Sequence, residues 1–131
     1  MIPEADVRTH LITQSVIASS AIFIGGARRA GNGIPHKAVF VSQNGGYPPS
    51  EYMGGVSTTY YARTVQVRVR GDVNDYAAGL TLANAAHNAL QRATISGYVR
   101  VTCNQSAPMY MGFDEVEHPE WSFDCTLESK G

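Results

Sequence analysis

The stretch Gly26-Ala27-Arg28-Arg29-Ala30-Gly31 has the glycine spacing of a phosphate-binding loop and follows a short apolar run. In such a loop, backbone N–H groups cradle phosphate oxygens. A Lys and then a Ser or Thr must follow the second glycine, and a helix must start there so that its N-terminus meets the anion. Asn32 and Gly33 stand in those places, and Pro35 leads into a strand-like segment. Nucleotide chemistry is therefore disfavoured. The preferred reading is a partner-contacting loop in which Arg28 and Arg29 pair with carboxylates or stack on aromatic rings. The plainer one is a flexible loop with two exposed arginines.

Other reactive types fare no better. His10, His36, His87 and His118 include no i, i+4 pair, and no Cys-x-x-Cys accompanies them, so no metal site is expected. His87 falls on the apolar stripe of a helix, where a hydrogen-bonded core or interface histidine is the expectation. His118, beside Pro119, reads as a turn residue. Cys103 and Cys125 fall on the inward faces of two strands and read as reduced thiols acting as small hydrophobes. The acids of Asp114–Glu120 lack the order a calcium loop requires. No Gly-x-Ser-x-Gly elbow is present. No catalytic, cofactor-binding or metal-ligating residue is assigned, and no cofactor is expected.

Charge supplies the remaining candidates. Arg63, Arg68, Arg70 and Arg100 lie on strand-like segments, and Asp114, Glu115 and Glu117 lie in an acidic turn. The bland reading is a solvated charged face. The alternative is a pair of complementary surfaces through which identical subunits meet, the charges setting register more than affinity. A second candidate group is Tyr47, Glu51, Tyr52 and Tyr60, in a long segment rich in Gly, Pro, Ser and Tyr.

The chain that must position these groups has 131 residues, enough for one domain spanning 1–131 with a real core. Its net charge of −1 is unlike the basic footprint of a nucleic-acid binder and leaves little self-repulsion between copies. The longest apolar run, near Ala21–Gly26, is too short to cross a bilayer. No basic segment precedes an apolar stretch near the N-terminus, so no signal peptide is expected.

Residues 4 to 18 read as an amphipathic helix, and 21–24 and 37–43 as strands. Residues 44 to 61 read as a long loop, unusual in a compact domain and therefore of functional interest. Val65, Val67 and Val69 alternate with Gln66, Arg68 and Arg70, the period of a half-buried strand. Residues 71–74 form a turn that caps a helix running to about Ala93, with Tyr76, Leu80, Ala83, His87 and Leu90 inward. Three further alternating sets follow: Val99, Val101 and Cys103; Met109, Met111 and Phe113; and Trp121, Phe123, Cys125 and Leu127, with Ser122, Asp124 and Thr126 outside. The expected fold is α+β: a mainly antiparallel sheet of about five strands with two helices on one face.

The order of these segments carries a resemblance. Tyr61-Ala62-Arg63-Thr64-Val65-Gln66-Val67-Arg68-Val69-Arg70 is followed by Asp75-Tyr76-Ala77 and a helix ending Asn88-Ala89-Leu90. Then come Gly97-Tyr98-Val99-Arg100-Val101, Ala107-Pro108-Met109-Tyr110-Met111-Gly112-Phe113-Asp114-Glu115 and Trp121-Ser122-Phe123. This series, with the first helix and Gly45-Gly46-Tyr47-Pro48-Pro49, resembles the minor capsid or tail completion family of long-tailed bacteriophages, which includes tail terminators. The resemblance implies a non-enzymatic virion protein, assembled in the host cytoplasm. It implies a homohexameric ring at the head-proximal end of the tail tube that stops tube polymerisation and joins tail to head. Its partners would be other copies of itself, the tail tube protein and a head completion or stopper protein. DNA would pass through the lumen without sequence-specific binding, and no membrane would be involved. The competing readings are another head–tail connector such as a head completion protein, a small cellular peptide-binding module, and a small enzyme with its site on the Gly25–Pro35 loop.

Overall fold

The computed structural model describes residues 2–17, 21–25, 37–51, 59–113 and 117–130, with the backbone alone at 47–51, 59–60 and 130. Among these are two helices, α1 (Pro3–Thr13) and α2 (Tyr76–Leu90), and six strands. The strands are β1 (Ile22–Ile24), β2 (Ala38–Glu51), β3 (Thr59–Arg70), β4 (Arg100–Cys103), β5 (Met109–Phe113) and β6 (Pro119–Lys130). The fold is α+β, as expected, with six strands rather than about five.

α1 starts at Pro3, whose missing N–H costs nothing in a first turn, and Glu4 and Asp6 sit at the positive end of its dipole. Pro3, Val7 and Leu11 form its buried stripe. The helix stops well short of residue 18. Gln14 caps it, and Ser15 adopts a left-handed backbone with φ 57° that a helix cannot continue through.

α2 is capped by Asp75, whose carboxylate accepts from the Ala78 N–H at 3.1 Å, one residue beyond the expected turn. It ends at Leu90, before Arg92, whose φ is 58°. Its buried face is Gly79, Leu82, Ala83, Ala86, His87 and Leu90. Tyr76 is exposed and Leu80 only half-buried, so the inward face is rotated from the expected stripe. Small residues explain the rotation. A Cβ at Gly79 would stand 2.5 Å from the Trp121 ring, so the helix backbone itself rests on that indole.

The sheet order is β1-β2-β3-β6-β4, with β5 lying beside β6 on the same side as β4. β1 runs parallel to β2, and the other pairs are antiparallel. The largest departure from expectation is the supposed loop 44–61. β2 continues to Glu51 and β3 begins at Thr59, so much of that segment is a paired arm. The ladder shifts register between Gln43 and Gly46 and again between Tyr47 and Ser50. Gly45 and Gly46 take positive φ (71° and 141°) at the first shift, and Pro48-Pro49 falls within the second. Bulges are where strands tolerate residues that otherwise read as loop.

The core lies between the helices and one sheet face. Val39 and Val41, then Val65, Val67 and Val69, then Trp121, Phe123, Cys125 and Leu127 meet Val7, Leu11, Leu82, Ala83, Ala86 and Leu90. Val101 belongs to this face, but Val99 precedes β4 and is exposed, against expectation. On the opposite face Ser122 and Thr126 are buried rather than outside. Thr126 Oγ1 donates to Asn104 Oδ1 at 2.7 Å, and the Asp124 N–H donates to Gln105 Oε1 at 2.8 Å, so the 104–106 turn folds over that face. His87 is the hydrogen-bonded core histidine expected: its Nε2 bonds the Gln105 carbonyl at 2.8 Å and its ring packs on Phe123. His118 lies just before β6 and is buried.

Tyr98 fastens the α2–β4 connection to α1: its hydroxyl donates to Asp6 Oδ2 at 2.6 Å. Burial, then this hydrogen bond and the Asp6 charge, push the phenol well above its ordinary range. The folded state thus holds the proton more tightly than the unfolded chain does. The linked stability is fully present below about pH 10 and is lost as pH rises beyond it. Thermal unfolding followed from pH 8 to 11 should show wild-type stability falling above pH 10, with a shallower fall in Tyr98→Phe. Equal slopes would remove Tyr98 from the alkaline response.

Candidate assembly surfaces

The four arginines occupy three places. Arg68 and Arg70 share the sheet face opposite the helices, over the Phe40 ring at 4.9 and 5.8 Å. Phe40 in turn stacks on Phe23 with ring centroids 5.6 Å apart. A planar guanidinium over an aromatic face gains from the ring quadrupole. A shallow recess of about 170 Å³ opens beside them, lined by Gly25, Phe40, Ser42, Gln66 and Arg68.

Arg63 lies on the other face. It pairs in register with Leu127 and shares strand parity with Val65, and its guanidinium stacks on Tyr61 at 4.8 Å. Arg100, on β4, grips both carboxylate oxygens of its cross-strand partner Glu128. Such a surface pair contributes little to stability. Glu117 accepts from Asn74 Nδ2 at 2.9 Å, and its carbonyl accepts from the Asn74 N–H, so it ties the acidic turn to the start of α2.

Arg28, Arg29, Tyr52, Asp114 and Glu115 lie outside the described residues. Tyr47, Glu51 and Tyr60 are placed by their backbone on the β2–β3 arm: Tyr47 opposite Ala62, Tyr60 opposite Ser50, and Glu51 opposite Thr59. They share an arm rather than a loop, and they lie toward its far end from Arg68 and Arg70.

A surface that charge did not point to runs along β5. Met109, Tyr110, Met111 and Phe113 are all substantially exposed, and so are Tyr76 and Val73 at the start of α2. Tyr110 packs on Trp121 at 5.4 Å and edge-on to Tyr76 at 5.1 Å, and it touches Phe113 at 6.2 Å. The buried indole is the floor of an aromatic ledge. The sequence carried a signal for it, five uncharged residues rich in Met and aromatics, but strand alternation alone does not say what covers a strand.

The cysteines do come together, with Sγ atoms 3.4 Å apart on directly opposed residues of β4 and β6. Cys103 Sγ lies 3.6 Å from the His87 carbonyl, so a chain of donors runs from Cys125 to Cys103 to that oxygen. The Cys125 hydrogen bond lowers the Cys103 thiol, while the same bond and burial push Cys125 up. Among the described residues no group of His, Cys, Asp or Glu could hold a metal ion, and no helix is long and apolar enough to cross a membrane. What the described residues bring together is contact surface: an arginine–aromatic face, an extended arm and an apolar ledge.

Comparison with known proteins gives these surfaces a setting. No curated protein matches the chain. A chain from the virion of a native gene transfer agent particle is similar to it in structure, with a TM-score of 0.62 at 14% identity, over 98% of this chain and 94% of that one. At that identity the likeness concerns the fold. A family model described as bacteriophage tail terminator protein matches residues 29–129, which include β2 to β5 and nearly all of β6. The chain therefore belongs to the bacteriophage tail terminator family and is a structural protein of the phage tail.

Proposed function

We propose that this chain closes into a homohexameric ring at the head-proximal end of the tail tube, where it ends tube polymerisation and joins tail to head. The observation that carries the proposal is the tail terminator family match over 29–129. The fold adds physical support. A ring needs a heterologous contact, in which each copy offers two different surfaces. This sheet offers an arginine–aromatic face around Arg68 and an apolar ledge at β5. The tube protein on one side and a head completion protein on the other are the proposed partners, with DNA passing through the lumen. A chain of net charge −1 holds DNA weakly, as a conduit requires.

Tails assembled without this chain should carry tubes of uncontrolled length that fail to join heads. Adding the purified chain to tube tips should cap them with six copies, read by mass measurement and electron microscopy. A chain that binds heads but not tube ends would instead make it a head completion protein.

The arginine face has its own test. Arg68→Glu with Arg70→Glu should abolish assembly while circular dichroism stays near wild type and the unfolding midpoint falls only modestly, since the lost contacts are stackings on Phe40 on the sheet face away from the helices. Normal assembly of that variant would return the face to solvent.

A further inference from the structure

β5 has one paired edge and one open one. It runs along β6 from Pro119 to Ser122, and among the described residues no strand joins its other side. Sheet edges invite further pairing, and proteins usually blunt them with charge, a covering element or short length. The strand at the other end of the sheet shows such blunting: Arg8 Nε donates to the Ile22 carbonyl of β1 at 2.9 Å. β5 carries no charged side chain in its five residues. Instead Met109, Tyr110, Met111 and Phe113 are 44, 44, 61 and 54% exposed. Gly112, at φ 95°, sits at a register shift that leaves Met111 without a partner on β6.

The ledge is large enough to matter. Six apolar side chains, counting Tyr76 and Val73, stand roughly half exposed, and large aromatics bury about 150–250 Å² each, so about 500 Å² of apolar surface is on offer. A stable interface covers about 800 Å² on each partner, with an apolar centre and a polar rim. The ledge supplies that centre and leaves the rim to its surroundings.

We infer that the open edge of β5 is the seam with a neighbouring copy of this chain, which covers Met109, Tyr110, Met111 and Phe113 with apolar side chains. Two features favour a second copy as the occupant. β5 and β1 flank the sheet at opposite ends, as the two sides of a head-to-tail contact must. The β1 end carries Ile24, itself 49% exposed, so an apolar side chain waits on the complementary flank. Near-zero net charge removes the repulsion that would keep copies apart. The inference rests on the ring proposed above, whose failure can be told apart from its own.

A photo-crosslinking amino acid at position 111, in chains assembled on tails, should link one copy to another. A control at Asn88, on the exposed side of α2, should not. The double variant Met111→Glu, Phe113→Glu should keep its fold, since both side chains are exposed, and lose ring association by about a hundredfold or more through burial of unpaired carboxylates. If wild-type rings form but position 111 links the tube or a head protein, or links nothing, the seam is overturned while the ring stands. Normal assembly of the double variant has the same meaning. If the wild-type chain stays monomeric alone and on tubes, ring and seam fall together.

Discussion

Trp121→Ala is expected to cost about 3–5 kcal/mol, the largest loss of any single truncation in this core. The indole is 1% exposed and is the largest fully buried side chain. It sits on β6 opposite Val69 on one side and Tyr110 on the other, and its ring reaches up to the backbone of α2 at Gly79. Removing it opens a cavity whose walls are helix, β3 and β5, elements that cannot all collapse inward at once. A small domain has about 5–15 kcal/mol in total, so the variant should lie near the edge of folding. Denaturant midpoints at unchanged slope would measure the loss. Tyr76 and Tyr110 both rest on the indole, so the β5 ledge should loosen before the sheet does.

The same contact predicts a change of sign. In the wild type, a Cβ at Gly79 would stand 2.5 and 2.8 Å from two atoms of the buried indole. Gly79→Ala should therefore destabilise by about 1–3 kcal/mol through overpacking, outweighing the gain in helix propensity of about 1 kcal/mol. Once Trp121 is Ala, the clash disappears and the propensity gain remains. Gly79→Ala should then stabilise the truncated chain, with the Gly71 Cα at 3.2 Å still to accommodate. Additive effects of the two substitutions would mean the helix is held to the sheet by something other than this contact.

The sequence was most legible where one face of a strand is fully buried. Val65, Val67 and Val69, and Trp121, Phe123, Cys125 and Leu127, alternate without exception and are all buried. Period-two patterning leaves such strands one register. β5 shows the limit of that signal. Alternation of Met109, Met111 and Phe113 identified a strand without saying what covers it; the bulge at Gly112 breaks the alternation, and the strand lies at an edge. The paired arm was missed because Gly45-Gly46 and Pro48-Pro49 are loop-forming pairs by every local rule, and only the facing strand turns them into bulges. Among the candidate site residues, parity alone separates Arg63 from Arg68 and Arg70, since Arg63 is in step with the valines. The Arg100–Glu128 pair depended on which strands become neighbours, which no local pattern encodes.

Gly46→Ala should be the most damaging change at an exposed position, and it should act on the arm rather than the core. The residue's φ of 141° is one that side chains disfavour, and a Cβ there would stand 2.3 Å from the Ala62 carbonyl oxygen and 2.8 Å from the Arg63 Cα. Both are backbone atoms of β3, which is held on its far side by β6 through Ala62–Glu128 and Arg63–Leu127. β3 cannot yield, so β2 must. Strain and overpacking together amount to about 2–5 kcal/mol, more than the pairing beyond the bulge can retain. The arm should separate from residue 46 outward. Hydrogen exchange should show lost protection at Tyr47, Ser50 and Glu51 on β2, with 38–43 and 65–70 unchanged and the stretch of β3 paired to β6 at 60–62 still largely protected. Gly45→Ala is the control, since nothing lies within 4 Å of its Cβ and only its φ of 71° is strained, a cost of about 1–2 kcal/mol. Equal protection in the two variants would show that close approach at Gly46 does not hold the arm. The functional consequence is specific, because Tyr47, Glu51 and Tyr60 ride on that arm. If they meet the tube or the head, Gly46→Ala rings should still form through the rest of the sheet but fail to cap tube ends or to join heads. Rings that both form and function would remove the arm from the contact.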